Sequence, residues 1–204
     1  MVVQAPLRAR PIGFVVAGGL STRMGRDKAL LPWQGSTLLD HAIARLTAVC
    51  SDVRILCGPA RRYEDRGRLL VVDAIPDGGP LAGIAAGLES AGDAAGLYLG
   101  VDLPLVTVDL LAALLAMEDA EAVVPVTPGG PEPLCAVYRP GCRAAVRARL
   151  AAGDRKMTSF WPDVRVRTLE GNALAAFGDP RRIFHNVNAP ADYLGMAGDA
   201  KEGA

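Results

Sequence analysis

Residues 16–28 read Val16-Ala-Gly-Gly-Leu-Ser-Thr-Arg-Met-Gly-Arg-Asp-Lys28, a stretch that collects the residue types a polyphosphate requires. Gly18 and Gly19 lack Cβ atoms, so a backbone there can approach a ligand closely and take positive φ. Amide N–H groups turned inward in such a loop form an anion-binding concavity. Arg23, Arg26 and Lys28 add forked and mobile positive charge to it. Two better-known glycine loops do not fit. A P-loop needs Gly and Lys adjacent, whereas Arg26 and Asp27 separate Gly25 from Lys28, and glycines at 18, 19 and 25 do not make G-x-G-x-x-G. A glycine pair alone reads as a turn with solvated charges. Combined with one of the chain's three lysines, it reads as a phosphate cradle.

Asp102 follows the apolar run Leu97-Tyr-Leu-Gly-Val101 directly. A carboxylate in that position is solvated, paired or coordinating, and beside a phosphate loop it suits Mg²⁺ held on a triphosphate. Its plainer role is a turn aspartate ahead of Pro104. Asp73, after Leu69-Leu-Val-Val72, ends a second such run and suits ribose, base or a metal-bound water as well as a turn. His185-Asn-Val-Asn188 places Asn186 and Asn188 on one face of an extended segment. Those amides can bind phosphate or a pterin edge, or satisfy a turn. His41 reads as a surface or half-buried residue on a helix rather than a ligand, and Arg61, Arg62, Arg66 and Arg68 as a solvated helix face.

The elements that must position these groups alternate. Strands are expected at 12–17, 53–57, 69–72, 97–101 and 122–126, and helices at 37–50, 81–90 and 107–117, with Thr107 as a cap. That order implies an α/β, Rossmann-like, doubly wound and mostly parallel sheet whose strand ends face one crevice. The last third is less regular. A strand at 133–139, a helix at 142–152 and a strand at 164–169 are expected, 172–182 is unassigned, and a final helix is expected near Pro190. Residues 12–195 read as one domain between a flexible leader, 1–11, and a flexible tail, 196–204.

Composition bounds the partners. Of 204 residues half are hydrophobic, enough for one sizeable core, and 22 basic residues balance 22 acidic ones. A neutral chain lacks the charge of a nucleic-acid footprint, and charged residues, Gly or Pro break every long apolar run, which excludes a membrane span. Cys50, Cys57, Cys135 and Cys142 show no metal spacing, so they read as reduced packing residues of a cytoplasmic protein.

The loop at 16–28 resembles the L-A-G-G-x-S-x-R-M-G-x-D-K signature of the Rossmann-like nucleotidyltransferases, with Val16 in place of Leu. Gly79-Pro-Leu-Ala-Gly-Ile84, Asp102-Leu-Pro104 and Phe184-His-Asn-Val-Asn-Ala-Pro190 narrow that resemblance to the molybdenum cofactor guanylyltransferase family, from Gly13 to about Tyr193. The resemblance implies transfer of GMP from Mg·GTP to the phosphate of molybdopterin, giving the guanine dinucleotide cofactor and pyrophosphate. It implies that Val16, Ala17, Gly18 and Gly19 meet GTP through backbone, that Lys28 and Arg23 neutralise phosphate, and that Asp73 binds nucleotide. Asp102 is implied to hold Mg²⁺, and Asn186 with Asn188 to face molybdopterin. A molybdenum-insertion protein or molybdoenzyme chaperone is the implied recipient. Cys57-Gly-Pro-Ala-Arg61 lacks the asparagine found after the family's second strand, which leaves one base or ribose contact unassigned. Cytidylyl transfer, another phosphate acceptor and a non-catalytic cofactor carrier stay open as alternatives. A dinucleotide oxidoreductase ranks below them without its glycine fingerprint.

Overall fold

The computed structural model describes residues 10–18, 27–73, 75 and 78–187. Gly19, Arg23, Arg26, Asn188 and the helix expected near Pro190 lie outside them. Ten strands occur among the described residues: β1 (Ile12–Val16), β2 (Pro32–Trp33), β3 (Ser36–Thr37), β4 (Asp52–Leu56), β5 (Leu69–Val71), β6 (Gly96–Gly100), β7 (Ala122–Thr127), β8 (Gly130–Pro131), β9 (Cys135–Tyr138) and β10 (Val166–Glu170). The helices are α1 (Leu38–Thr47), α2 (Gly79–Ala91), α3 (Val108–Ala116), α4 (Cys142–Ala151), α5 (Gly171–Ala175) and α6 (Pro180–Ile183). Thr37 and Thr107 cap α1 and α3, accepting from the Asp40 and Leu110 amides. None of these helices is long and apolar enough to cross a membrane.

The main sheet runs β10-β7-β9-β6-β1-β4-β5, with β8 on β7. β1 is central and parallel to both β4 and β6, as the alternating strand–helix order requires. β9, a strand for which the sequence pattern sets no direction, lies antiparallel between β6 and β7. The cause is chain length: residues 128–134 are too few for a crossover, so the chain turns back as a hairpin stiffened by β8. Residues 171–183, unassigned in the sequence, form the two short helices α5 and α6.

Successive strand residues face opposite layers. Val15, Ile55, Leu97 and Leu99 pack with Leu39, Leu46, Leu110 and Leu114 from α1 and α3. Phe14, Leu56 and Tyr98 pack on the other face with Leu81, Ile84 and Leu88 from α2 and Val146 from α4. Four of the ten aromatic rings form one buried row across this second layer. Phe14 stacks on Tyr98 at 5.0 Å, Tyr98 meets Tyr138 edge-on at 5.3 Å, and Tyr138 meets Phe160 at 5.7 Å. The Tyr98 hydroxyl donates to Ile84 O of α2 at 3.1 Å, and Tyr138 donates to Pro133 O at 2.9 Å.

α2 can lie this close to the row because it carries Gly87. A Cβ there would sit 2.4 Å from the Tyr98 hydroxyl and 2.8 Å from its ring. Tyr98 is fully buried between other rings and has no room to yield. Gly87→Ala therefore overpacks the layer, and its helix-propensity gain of about 1 kcal/mol is outweighed by an overpacking cost of about 1–3 kcal/mol. A lower urea midpoint at unchanged slope is the expected outcome; an unchanged or higher midpoint would contradict this packing.

Candidate functional site

The strand ends themselves bring the expected residues together. Val16 of β1 stands in register with Leu56 of β4 and Gly100 of β6. The ladder continues past the strands: Ala17 N–H donates to Leu56 O, Asp73 N–H to Gly58 O, and Val101 N–H to Val16 O. Gly18, Asp73 and Asp102 thus share one edge of the sheet. A Cβ on Gly18 would lie 2.8 Å from the Gly58 amide nitrogen, while Gly58 itself has φ of 75°. Two loops pass backbone to backbone there, a contact that side chains at these positions would prevent.

Lys28 begins a short 3₁₀ turn, Lys28–Leu30, capped by the Asp27 carboxylate, which accepts from Ala29 N–H at 3.1 Å. The Lys28 ammonium donates to Asp102 Oδ2 at 3.3 Å, with side chains 16% and 25% exposed. The expected phosphate cation and the expected metal ligand, 74 positions apart in the chain, therefore meet at the crevice.

Asp27 is also the hub of a clamp that sequence reasoning missed. Tyr63 donates its hydroxyl to Asp27 at 2.8 Å, and Arg62 donates to the same carboxylate at 3.2 Å. The other end of the Arg62 guanidinium donates to Ala17 O at 3.1 Å and Cys57 O at 3.2 Å, the carbonyls just beyond β1 and β4. The arginine run does not form the solvated helix face expected of it. Only Glu64–Arg66 makes a 3₁₀ turn, since Tyr63 and Gly67 on either side of it take positive φ. Arg62 turns inward while Arg66 pairs with Asp40 at 3.0 Å. The local sequence shows only four arginines; the long-range closure onto Asp27 separates their roles.

Two cavities open along this edge. One, of about 340 Å³, is lined by Gly18, Gly58, Arg62, Asp73, Gly78 and Gly79. Asp73 Oδ1 is buried with no hydrogen-bond partner among the described residues, and burial raises the carboxyl above its ordinary pKa. The other, of about 430 Å³, is lined by Thr127, Glu132, Arg181, Phe184, His185 and Asn186. Val187 N–H donates to Asp102 O at 3.0 Å, which seats this segment against Asp102. Asn186 therefore reaches the crevice, on the side opposite Asp73. A larger cavity of about 830 Å³ lies at the other end of the strands, beside Arg10, Val49 and Leu115, far from these groups.

The remaining titratable candidates are structural. The cysteines are free thiols, and burial pushes Cys50 and Cys142 up to about 12, so neither is a thiolate near neutrality. His41 Nε2 lies 2.8 Å from Arg45 Nε and 3.0 Å from Pro104 O, joining α1 to the turn after Asp102. Burial, then the Arg45 charge, lowers its pKa.

Comparison with known proteins agrees with this geometry. Residues 13–166 match the MobA-like NTP transferase domain. A Deinococcus radiodurans protein named "Probable molybdenum cofactor guanylyltransferase" is 36% identical over 193 residues, covering 92% of this chain and 94% of its own. A Chloroflexus aggregans protein of the same name is 35% identical over 199 residues, covering 92% and 93%. The solved structure of molybdopterin-guanine dinucleotide biosynthesis protein A from Archaeoglobus fulgidus superposes with TM-score 0.77 over 94% of this chain and 99% of its own, at 21% identity. That last likeness shows the shared fold.

The clamp generates a test of its own. Arg62→Ala deletes three charge-assisted hydrogen bonds and leaves Asp27 and two strand-end carbonyls short of donors, a loss of about 2–3 kcal/mol in urea unfolding. Arg62→Lys restores only part, because an ammonium cannot fork across both carbonyls and a carboxylate. Equal stability for the Arg62→Lys variant and the unaltered protein would show that the fork is not needed.

Proposed function

Because the chain belongs to the MobA-like NTP transferase family, we propose that its crevice transfers GMP from GTP to the phosphate of molybdopterin, releasing pyrophosphate and forming the guanine dinucleotide cofactor. The observation that carries this reading is the Lys28–Asp102 pair at the carboxyl edge of β1 and β6, between two cavities.

An acceptor phosphate oxygen is already anionic near neutrality, so no strong base is required of the protein. A new oxygen–phosphorus bond forms at the α-phosphorus as the bond to the β-phosphate oxygen breaks. The work left is alignment and charge neutralisation. The side-chain-free backbone at Gly18 and Gly19 lets the phosphates approach closely, and Lys28, released from Asp102 as substrate enters, follows the charge onto departing pyrophosphate. Arg23 joins it on the strength of the family resemblance.

Asp102 offers one partly exposed carboxylate, and the described residues contain no group of three or more His, Cys, Asp or Glu that could cage a metal. That donor set fits Mg²⁺, which takes one or two carboxylates and completes its shell with phosphate and water. Bound there by Asp102, the ion supplies Lewis-acid charge at the phosphates.

Asp73 accounts for guanine. Its buried, unpartnered oxygen calls for a donor, and the N1–H and 2-amino groups of guanine offer an adjacent pair. Cytosine presents one amino group beside an acceptor nitrogen, which would face the carboxylate unfavourably. Asn186 and Asn188 take the molybdopterin side. We further assign residues 12–195 to one nucleotidyltransferase domain working in the cytoplasm and delivering product to an insertion protein or molybdoenzyme chaperone.

A pyrophosphate-release assay with each nucleoside triphosphate, with and without molybdopterin, tests the reading. GTP- and molybdopterin-dependent release is expected, and CTP-only turnover would overturn the guanine assignment. Lys28→Ala and Asp102→Asn should each lower kcat/KM by about 10²–10³, by analogy with loss of one oxyanion donor. Asp73→Asn should narrow the GTP-over-CTP preference by about tenfold or more.

A further inference from the structure

The cavity on the Asn186 side contains a carboxyl group that no step above uses. Glu132 lies in the turn before β9, where its backbone is held at both ends: its N–H donates to Pro125 O at 2.9 Å, and its carbonyl accepts from Cys135 N–H at 3.0 Å. Its side chain is half-buried, yet makes no hydrogen bond or ion pair with any described residue. Two contacts tie its surroundings to the reacting edge. Gly100 N–H donates to Leu134 O at 2.8 Å, and Val187 N–H donates to Asp102 O. In the strand order, Asp102 at the end of β6 separates this cavity from β1, β4 and β5, which carry the Gly18–Asp73 cavity. A molecule filling the Glu132 side can therefore reach Asp102 without overlapping the nucleotide.

We propose that Glu132 is the acceptor-specificity residue, its two carboxylate oxygens pairing with the adjacent ring N–H and amino donors of a pterin. The inference rests on the molybdopterin reading above. A pterin carries a 2-amino-4-oxo pyrimidine ring whose N3–H and 2-amino group form a fork that matches a carboxylate. Guanine carries the same fork. The two substrates thus meet two half-buried carboxyl groups, Asp73 on one side of Asp102 and Glu132 on the other. Burial first, and the negative charge of Asp102 second, raise the Glu132 carboxyl to about 7. Arg181, His185 and Asn186, exposed around the same cavity, leave the rest of the acceptor to cationic and amide contacts.

The full chain can be tested with free ring compounds and with substrate. 6-Hydroxymethylpterin, followed by its own fluorescence, should bind at least tenfold more tightly than 6-hydroxymethyl-lumazine, which carries oxygen in place of the 2-amino group. Equal binding by the unaltered protein overturns the proposal without any variant. Glu132→Gln, which exchanges one acceptor oxygen for a donor, should raise the pterin Kd and the KM for molybdopterin by about tenfold or more, with the KM for GTP within twofold. An unchanged KM for molybdopterin, or both KM values rising together, overturns it. Failure of the wider reading looks different: no GTP- and molybdopterin-dependent pyrophosphate release from the unaltered protein, whichever ring compound it prefers.

Discussion

A lysine ammonium and an aspartate carboxylate from distant parts of the chain stand 3.3 Å apart where β1 and β6 end. A partly exposed pair of this kind contributes no more than about 1 kcal/mol to folding, so its value lies elsewhere. In the proposed reaction it holds a cation and an anion where triphosphate and metal would both sit. Each partner keeps the other's side chain ordered until a ligand offers a better counter-charge. The central position of β1, the short turn that starts at Lys28 and the apolar strand that delivers Asp102 all serve this placement.

Keeping Lys28 in position is the task of its neighbour. Asp27 accepts from an amide, a phenol and a guanidinium, and Arg62 extends that network to the last carbonyls of two strands. Tyr63 enters it in the left-handed backbone region, a conformation that costs a non-glycine residue on the order of 1 kcal/mol. Its hydroxyl bonds and the stacking of the Arg62 guanidinium over its ring, 5.1 Å from the centroid, offset that cost. The tyrosine stays a neutral donor, because burial and the Asp27 carboxylate push its pKa up.

Much of this was legible in the chain before it was folded. Apolar runs ending in glycine or aspartate located β1 and β6 with the groups at their carboxyl edge, and Thr107 announced α3, because each signal is local. β9 was legible as a strand but not in direction, which depends on how few residues separate it from β7. Arg62 and Glu132 were opaque for a different reason. A run of arginines and a Pro-Glu-Pro turn look like surface, and only contacts across 35 positions to Asp27, or the approach of β6 and residue 187 to the turn, distinguish them. Asn186 was named for its spacing, yet its link to the site runs through the backbone of Val187, which no side-chain pattern encodes.

The antiparallel insertion of β9 has a consequence for how such a protein can diversify. In the proposed reaction the groups assigned to the triphosphate hang on β1, β4, β5 and β6, while the opposite cavity hangs on β7, the hairpin turn and residues 180–186. The two halves share little beyond Asp102 and the strand that carries it. On that assignment mutation can remodel the hairpin and residues 180–186, and with them the choice of acceptor, while the activation chemistry next door is inherited intact.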